Sequence, residues 1–84
     1  MKKIHIRILT NDGTSIEDEA QSICSPGYRG YVGFLYNHAP LVTLVDPGTL
    51  SWRRPDGDER SYKLGSGILE ISHNQLTLLV QSCA

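Results

Sequence analysis

Between Pro26 and Pro40 the chain reads Pro26-Gly27-Tyr28-Arg29-Gly30-Tyr31-Val32-Gly33-Phe34-Leu35-Tyr36-Asn37-His38-Ala39-Pro40. Glycine recurs at every third position, and a short Asn-His-Ala-Pro segment follows. A helix stripe does not carry glycine at that interval, and neither does an ordinary strand. The spacing suits a chain that turns tightly, runs briefly as a strand and turns again. Glycine supplies the positive φ angles and the close backbone approach such a path needs. Gly27, Gly33, Pro40 and Gly48 are the expected turn-forming positions, with a bulge at Gly33.

The remaining segments read as short strands between turn signals. Ile4, Ile6 and Ile8 alternate with His5 and Arg7, which predicts a strand with one buried face. Asn11-Asp12-Gly13 is a turn, and Thr14 to Glu19 continues as an acidic strand whose charges would blunt an open sheet edge. Ala20 to Ser25 follows, with Ile23 inward, and Pro26-Gly27 turns the chain. Tyr31–Leu35, Leu41–Val45 and Thr49–Arg53 are further strands, the last with Leu50 and Trp52 on one face. Pro55-Asp56-Gly57 closes a hairpin onto Glu59–Leu64. Gly65-Ser66-Gly67 marks a bend or close approach. Ile68–Ile71 and Gln75–Val80 form a last hairpin across Ser72-His73-Asn74, with Leu76, Leu78 and Val80 inward. Glu17 to Cys24 is the only helix-like spacing, and its low apolar content and the Ser25-Pro26 break argue against a helix. Strands at intervals of about 8–12 residues predict an all-β sandwich or barrel.

The chain has 84 residues, which predicts one domain spanning 1–84. A chain of this size buries roughly 60–65% of the surface its unfolded form exposes, so the core is thin and a partner adds stability by binding the folded state. A net charge of −1 leaves no broad basic footprint for nucleic acid or anionic lipid. The longest apolar run is far short of a membrane span, and Arg7 inside the first alternation makes the N-terminus a strand and not a signal peptide. Cys24 and Cys83 do not make a disulfide framework. Cys24 is expected buried, Cys83 exposed, and both reduced.

Several chemistries fail on spacing. Gly27-x-x-Gly30-x-x-Gly33 leads into a strand with no Gly-Lys-Ser/Thr, so it is not a phosphate cradle. His38 has Ser22, Ser25 and Asp46 nearby in sequence but no nucleophile-elbow spacing, and a turn histidine is more often structural or interfacial. His5, His38, His73 and Cys24 lack metal-ligand spacing. Trp52, Tyr62, Arg53 and Arg54 suggest an aromatic–basic surface for single-stranded nucleic acid. The competing account is a Trp52–Tyr62 pair across a hairpin with solvated arginines, which the near-zero net charge favours.

From Ser25 onward the chain resembles the epsilon subunit of F-type ATP synthases, called delta in mitochondria. The resemblance rests on Gly27, Gly30 and Gly33, then Phe34-Leu35, then His38-Ala39-Pro40-Leu41-Val42-Thr43, then Pro47-Gly48-Thr49-Leu50. Gly65-Ser66-Gly67-Ile68-Leu69-Glu70-Ile71 and Asn74-Gln75-Leu76-Thr77-Leu78-Leu79 continue it, and Thr10 with Asp12-Gly13 fits the opening. Two positions depart: Tyr36 replaces the usual proline, and Tyr31 replaces a common acidic residue.

The resemblance implies an all-β fold, a β-sandwich or flattened barrel of about ten strands. It also implies a non-catalytic role in the central stalk of a rotary ATP synthase, on the cytoplasmic face of a membrane and touching it only through the complex. The partners would be the gamma subunit, facing Thr10, His38 and Thr43, and the polar loops of the c-ring, facing Arg29, Gly30 and Tyr31. No catalytic residue, cofactor, metal or nucleic acid is implied. Many family members continue into two C-terminal helices that carry inhibitory insertion and, in some, ATP binding. This chain stops at Ala84, so the expectation is a sandwich without that helical hairpin. The alternative is a stand-alone β-sandwich or barrel that binds single-stranded nucleic acid or a small ligand.

Overall fold

Residues 2–84 are described by a computed structural model. The elements are β1 (Ile4–Thr10), β2 (Ser15–Ala20), β3 (Ser22–Gly27), β4 (Gly30–Leu35), β5 (Leu41–Val45), β6 (Gly48–Arg53), β7 (Glu59–Leu64), β8 (Gly67–Ser72) and β9 (Gln75–Val80). No helix occurs among the described residues. Strands β2-β1-β9-β8-β5 form one sheet and β4-β3-β6-β7 the other. The described residues thus form the expected all-β sandwich, with nine strands in two sheets, and both sheets stay open, so there is no closed barrel among them.

The core follows from alternation. Ile4, Ile6, Ile8, Leu69, Ile71, Leu76, Leu78 and Val80 line the inner face of the five-stranded sheet. Ile23, Phe34, Leu50, Trp52 and Leu64 meet them from the four-stranded sheet. The strand β1 lies parallel to β9, with Ile6 beside Leu76 and Ile8 beside Leu78, so the two ends of the chain close the same sheet. Burying such side chains contributes about 1.5–3 kcal/mol each before the entropy cost.

Two hairpin loops share one solution. Asn11-Asp12-Gly13 and Pro55-Asp56-Gly57 are three-residue loops, with Gly13 N–H donating to Thr10 O at 3.1 Å and Gly57 N–H to Arg54 O at 2.8 Å. Gly13 and Gly57 sit at φ 89° and 91°, where a side chain is strained. In each, the aspartate accepts from the N–H two residues on: Asp12 from Thr14 at 3.0 Å and Asp56 from Asp58 at 2.9 Å. The β8–β9 turn uses His73 and Asn74 instead, both at positive φ, a two-residue turn of the mirror type.

The glycine-spaced segment departs from its sequence reading. Gly27 and Gly33 lie inside strands without positive φ; only Gly30, at φ 118°, takes the left-handed side. Residues Tyr28-Arg29, not Pro26-Gly27, make the turn, because β3 runs on through Gly27 to pair with Gly30. Gly33 opposes Cys24 in unbroken register, so there is no bulge. Gly48 opens β6 and is a close-approach site instead of a turn: a Cβ there would stand 2.8 Å from the Tyr31 hydroxyl and 2.9 Å from Pro26 Cβ. Pro40 does lie in the connection before β5. The cysteines are reversed: Cys24 is exposed on the outer face of its sheet, and Cys83 is half-buried beside Leu64.

The sheets are tied along one side. Asp18 points inward from β2 and accepts from Trp52 Nε1 at 2.9 Å and from Arg54 Nε at 3.1 Å. Burial opposes its ionisation. The Trp52 indole, the Glu19 N–H and the Arg54 guanidinium together outweigh that cost, so its pKa lies below the ordinary 3.8.

Candidate docking surfaces

Exposed apolar side chains collect on the outer face of the five-stranded sheet. The register sets Leu9 beside Leu79, Leu79 beside Ile68 and Ile68 beside Leu44, so one straight row crosses β1, β9, β8 and β5. Leu44 is 55% exposed, Leu79 51% and Ile68 45%, and Val42 extends the patch along β5. The parallel row beyond it, Glu17, Arg7, Thr77, Glu70 and Val42, is mostly polar. An apolar band confined to one end of one face is the form a protein contact takes.

The sequence showed each member of this row and not the row itself. Ile8-Leu9, Leu44-Val45, Ile68-Leu69 and Leu78-Leu79-Val80 are apolar on consecutive residues, hence on both faces of a strand. Such doublets signal a second buried face, but only the pairing register aligns them.

The β3–β4 hairpin forms a second surface. Pairing between β3 and β6 ends at Cys24, so the distal part of the hairpin is held by β4 and by contacts with β5. Its tip carries Tyr28 and Tyr31, 58% and 60% exposed, with the Arg29 guanidinium 5.6 Å from the centre of the Tyr28 ring. Tyr31 Oη accepts from the Thr49 N–H at 3.0 Å, which anchors its ring over Gly48. A shallow open depression is lined by Tyr28, Arg29, Gly30, Tyr31, Val32 and Thr43.

The residues expected to face gamma do not form one patch by themselves. Thr10 borders the apolar row at the end of β1. Its hydroxyl donates to Asp12 Oδ1 and accepts from the Thr14 N–H at 3.1 Å, so it also builds the first hairpin loop. This hydroxyl, then the Thr14 backbone, lowers the Asp12 pKa to about 2. Thr43 faces the opposite way from Val42 and Leu44 and joins Arg29, Gly30 and Tyr31 in the depression under the tip. His38 lies in the β4–β5 connection, edge-on to Phe34 at 4.8 Å between centroids. Its Nδ1 lies 2.7 Å from Ala39 O, the geometry of an N–H donating to that carbonyl. Asn37 precedes it at φ 66°, its N–H donating to Asn74 Oδ1 at 2.6 Å.

The fold divides the aromatic–basic cluster noted in the sequence. Trp52 is 3% exposed and stacks on Tyr62 with centroids 5.6 Å apart, and Arg54 is engaged by Asp18. The aromatic–basic surface is therefore not on offer for stacking bases. Among the described residues no three His, Cys, Asp or Glu side chains converge.

These features define a two-sheet β-sandwich that presents an apolar row and a projecting aromatic hairpin. The chain belongs to the family described as ATP synthase, Delta/Epsilon chain, beta-sandwich domain, whose model matches residues 3–84. It is 32% identical over 82 residues to an ATP synthase epsilon chain of Moorella thermoacetica, covering 98% of this chain and 61% of the relative. It is 33% identical over 81 residues to one of Nitratiruptor sp., covering 96% and 63%. The chain thus spans about three-fifths of the length of these curated relatives. Among solved structures it superposes on a chain of the Euglena gracilis mitochondrial ATP synthase OSCP/F1/c-ring with TM-score 0.89 at 15% identity, covering 100% of this chain and 54% of that one. A chain of the Tetrahymena thermophila mitochondrial ATP synthase central stalk/c-ring gives TM-score 0.76 at 11% identity, covering 100% and 66%. At these identities the superpositions speak for the fold alone.

Proposed function

We propose that this chain is a non-catalytic docking and coupling module of the central stalk of a rotary ATP synthase. The five-stranded sheet rests on the gamma subunit, and the β3–β4 tip rests on the polar loops of the c-ring. The apolar row from Leu9 to Leu44 carries the reading. It is a solvent-facing cost with no return in the isolated domain, and a flat partner surface removes it. Thr10 sits at its margin, and His38 and Thr43 extend the contact around the β5 side. Arg29 pairs with ring carboxylates, while Gly30 lets the chain pass close and Tyr31 contributes aromatic area and a hydroxyl. A close-packed sandwich deforms little under load, which suits a part that passes torque between two partners. In this role the domain sits at the cytoplasmic face of a membrane, held there by its partners.

Calorimetric titration of the purified chain with the gamma subunit of the same enzyme tests this. Binding is expected, and Ile68→Lys with Leu79→Lys should abolish it while circular dichroism stays unchanged. Wild-type affinity in that double variant would defeat the assignment of the face.

A further inference from the structure

The four edge strands of the sandwich are not alike. The edge at β2 carries Glu17 and Glu19 outward and Asp18 inward. The edge at β7 carries Glu59, Arg60 and Lys63, and Ala84 caps it through a reciprocal bond pair with Lys63 at 2.7 and 3.0 Å. Charges and caps of this kind keep an edge from pairing with another chain. The edge at β4 is neutral but interrupted by Gly30 and Gly33, which gives a partner strand little to grip. The edge at β5, Leu41-Val42-Thr43-Leu44-Val45, has no charge and no glycine, and among the described residues no strand pairs with its open side, although the β3–β4 hairpin meets β5 at Thr43.

The direction of its main-chain groups follows from the β8–β9 turn. In a two-residue hairpin the flanking pair, here Ser72 and Gln75, exchanges both hydrogen bonds. Even-numbered residues of β8 therefore bond β9, and Leu69 and Ile71 bond β5. Their partners Thr43 and Leu41 are turned inward along the ladder, which leaves the N–H and C=O of Val42 and Leu44 on the open side; the Leu44 C=O accepts from the Thr43 hydroxyl at 3.3 Å and keeps one lone pair for a partner.

We propose that the β5 edge pairs with the β5 edge of a second copy of this chain, antiparallel about a two-fold axis at Thr43. That register sets Val42 opposite Leu44 of the other copy twice over, so the outward groups of both residues are satisfied by four hydrogen bonds. Their side chains, 65% and 55% exposed, meet across the seam on the outer face. A two-fold axis sets the residue on it against itself, so a charge there would repel; Thr43 on the axis carries none. The two five-stranded sheets become one. The pairing covers part of the surface assigned above to gamma, so self-association belongs to the unassembled chain and gamma competes with it. The geometry itself does not rest on the stalk reading.

Sedimentation equilibrium over a range of concentrations, with amide exchange read at the highest and the lowest, tests the seam. The expected result is a dimer that grows with concentration, with the Val42 and Leu44 amides slowed in proportion to it. Leu44→Pro, which removes an outward N–H that the ladder does not use, should return the mass to that of one chain. Ile68→Lys, one strand in from the edge, should leave the dimer in place. If Leu44→Pro fails to fold, amide exchange in the unaltered protein still decides. A monomer at all concentrations overturns the proposal. So does a dimer broken by Ile68→Lys and kept by Leu44→Pro, which would be face stacking. Protection of Val42 and Leu44 only after gamma is added would assign the edge to a foreign strand and overturn the second-copy reading while supporting the stalk role.

Discussion

The two outer faces of the sandwich are built on the same pleat, and their middle rows carry opposite contents, although Leu35, 66% exposed, stands on the β4 margin of the second face. Across the five-stranded sheet one row runs Leu9, Leu79, Ile68, Leu44. Across the four-stranded sheet a row of the same kind runs Gly33, Cys24, Ser51, Ser61. Both face water, and both sit over the same core. The second row costs nothing to hydrate and gives a partner nothing to bury. The first exposes large aliphatic groups that folding has not covered. The difference separates what the fold needs from what a partner needs, because the core is complete without either row.

Glycine substitutions at one position on each sheet should give the largest contrast. A Cβ on Gly67 would collide with the Leu79 carbonyl and stand 2.7 Å from Val80 Cα, both backbone atoms that cannot move aside. Gly67→Ala is expected to cost about 1–3 kcal/mol or more. At Gly33 the nearest atom to a Cβ is Ile23 O at 4.0 Å, and φ is not positive, so Gly33→Ala should be neutral or stabilise by about 0.4–1 kcal/mol. Urea unfolding of both variants checks this. Equal effects would mean that Gly67 is not held against the β9 backbone as described.

Binding should separate the faces next. Ile68→Lys alone is expected to weaken gamma binding by about tenfold or more, as loss of a central apolar contact does. Ser51→Lys, at the matching place on the other sheet, should leave it unchanged. Comparable losses from both would place gamma across an edge instead of on a face.

The clasp between the sheets gives a third effect, on stability and with a pH dependence. Asp18→Ala leaves the buried Trp52 N–H without its acceptor, a loss of about 1–3 kcal/mol. The sign with pH follows from the lowered pKa. The aspartate's contribution is present above its ordinary 3.8 and is lost as pH falls through the folded value, so the gap between wild type and Asp18→Ala should close below about pH 4. A gap that persists in stronger acid would show that the carboxylate charge is not what holds the clasp.

How far the sequence reached can be argued from the same elements. Alternation placed Ile4, Ile6 and Ile8, Leu50 and Trp52, and Leu76, Leu78 and Val80 inside, because period-two burial is local to a strand. The bounds of β5, β7 and β9 matched for the same reason. The glycine spacing is misleading because glycine serves close backbone approach as well as turns. At Gly48 it serves an approach by Pro26 and Tyr31, which come from another hairpin and are invisible to local reading. Cys24 has apolar neighbours in sequence, yet its parity in β3 sends it outward opposite to Ile23. The apolar row and the open β5 edge depend on which strand lies beside which, information that lies in pairing and not in any one segment.

Thr10 offers the finest test, because it stands at the rim of the apolar row and inside a hairpin loop at once. If it acts on gamma only through the loop, then its hydroxyl matters for Asp12 and not for the partner. In Thr10→Val the Asp12 carboxyl loses its foremost hydrogen-bond donor, and its pKa should rise from about 2 toward the ordinary 3.8 while still accepting from Thr14. Carbon-detected NMR titration reads that shift directly. Since the folded pKa is the depressed one, the loop contact contributes above the ordinary value and fades as pH falls toward 2, so wild type and variant should converge only in strong acid. Gamma affinity of the same variant, measured at neutral pH, then divides the roles. A shifted Asp12 with unchanged affinity makes Thr10 a builder of the loop, and a loss of affinity with Asp12 unmoved would make it a contact in its own right.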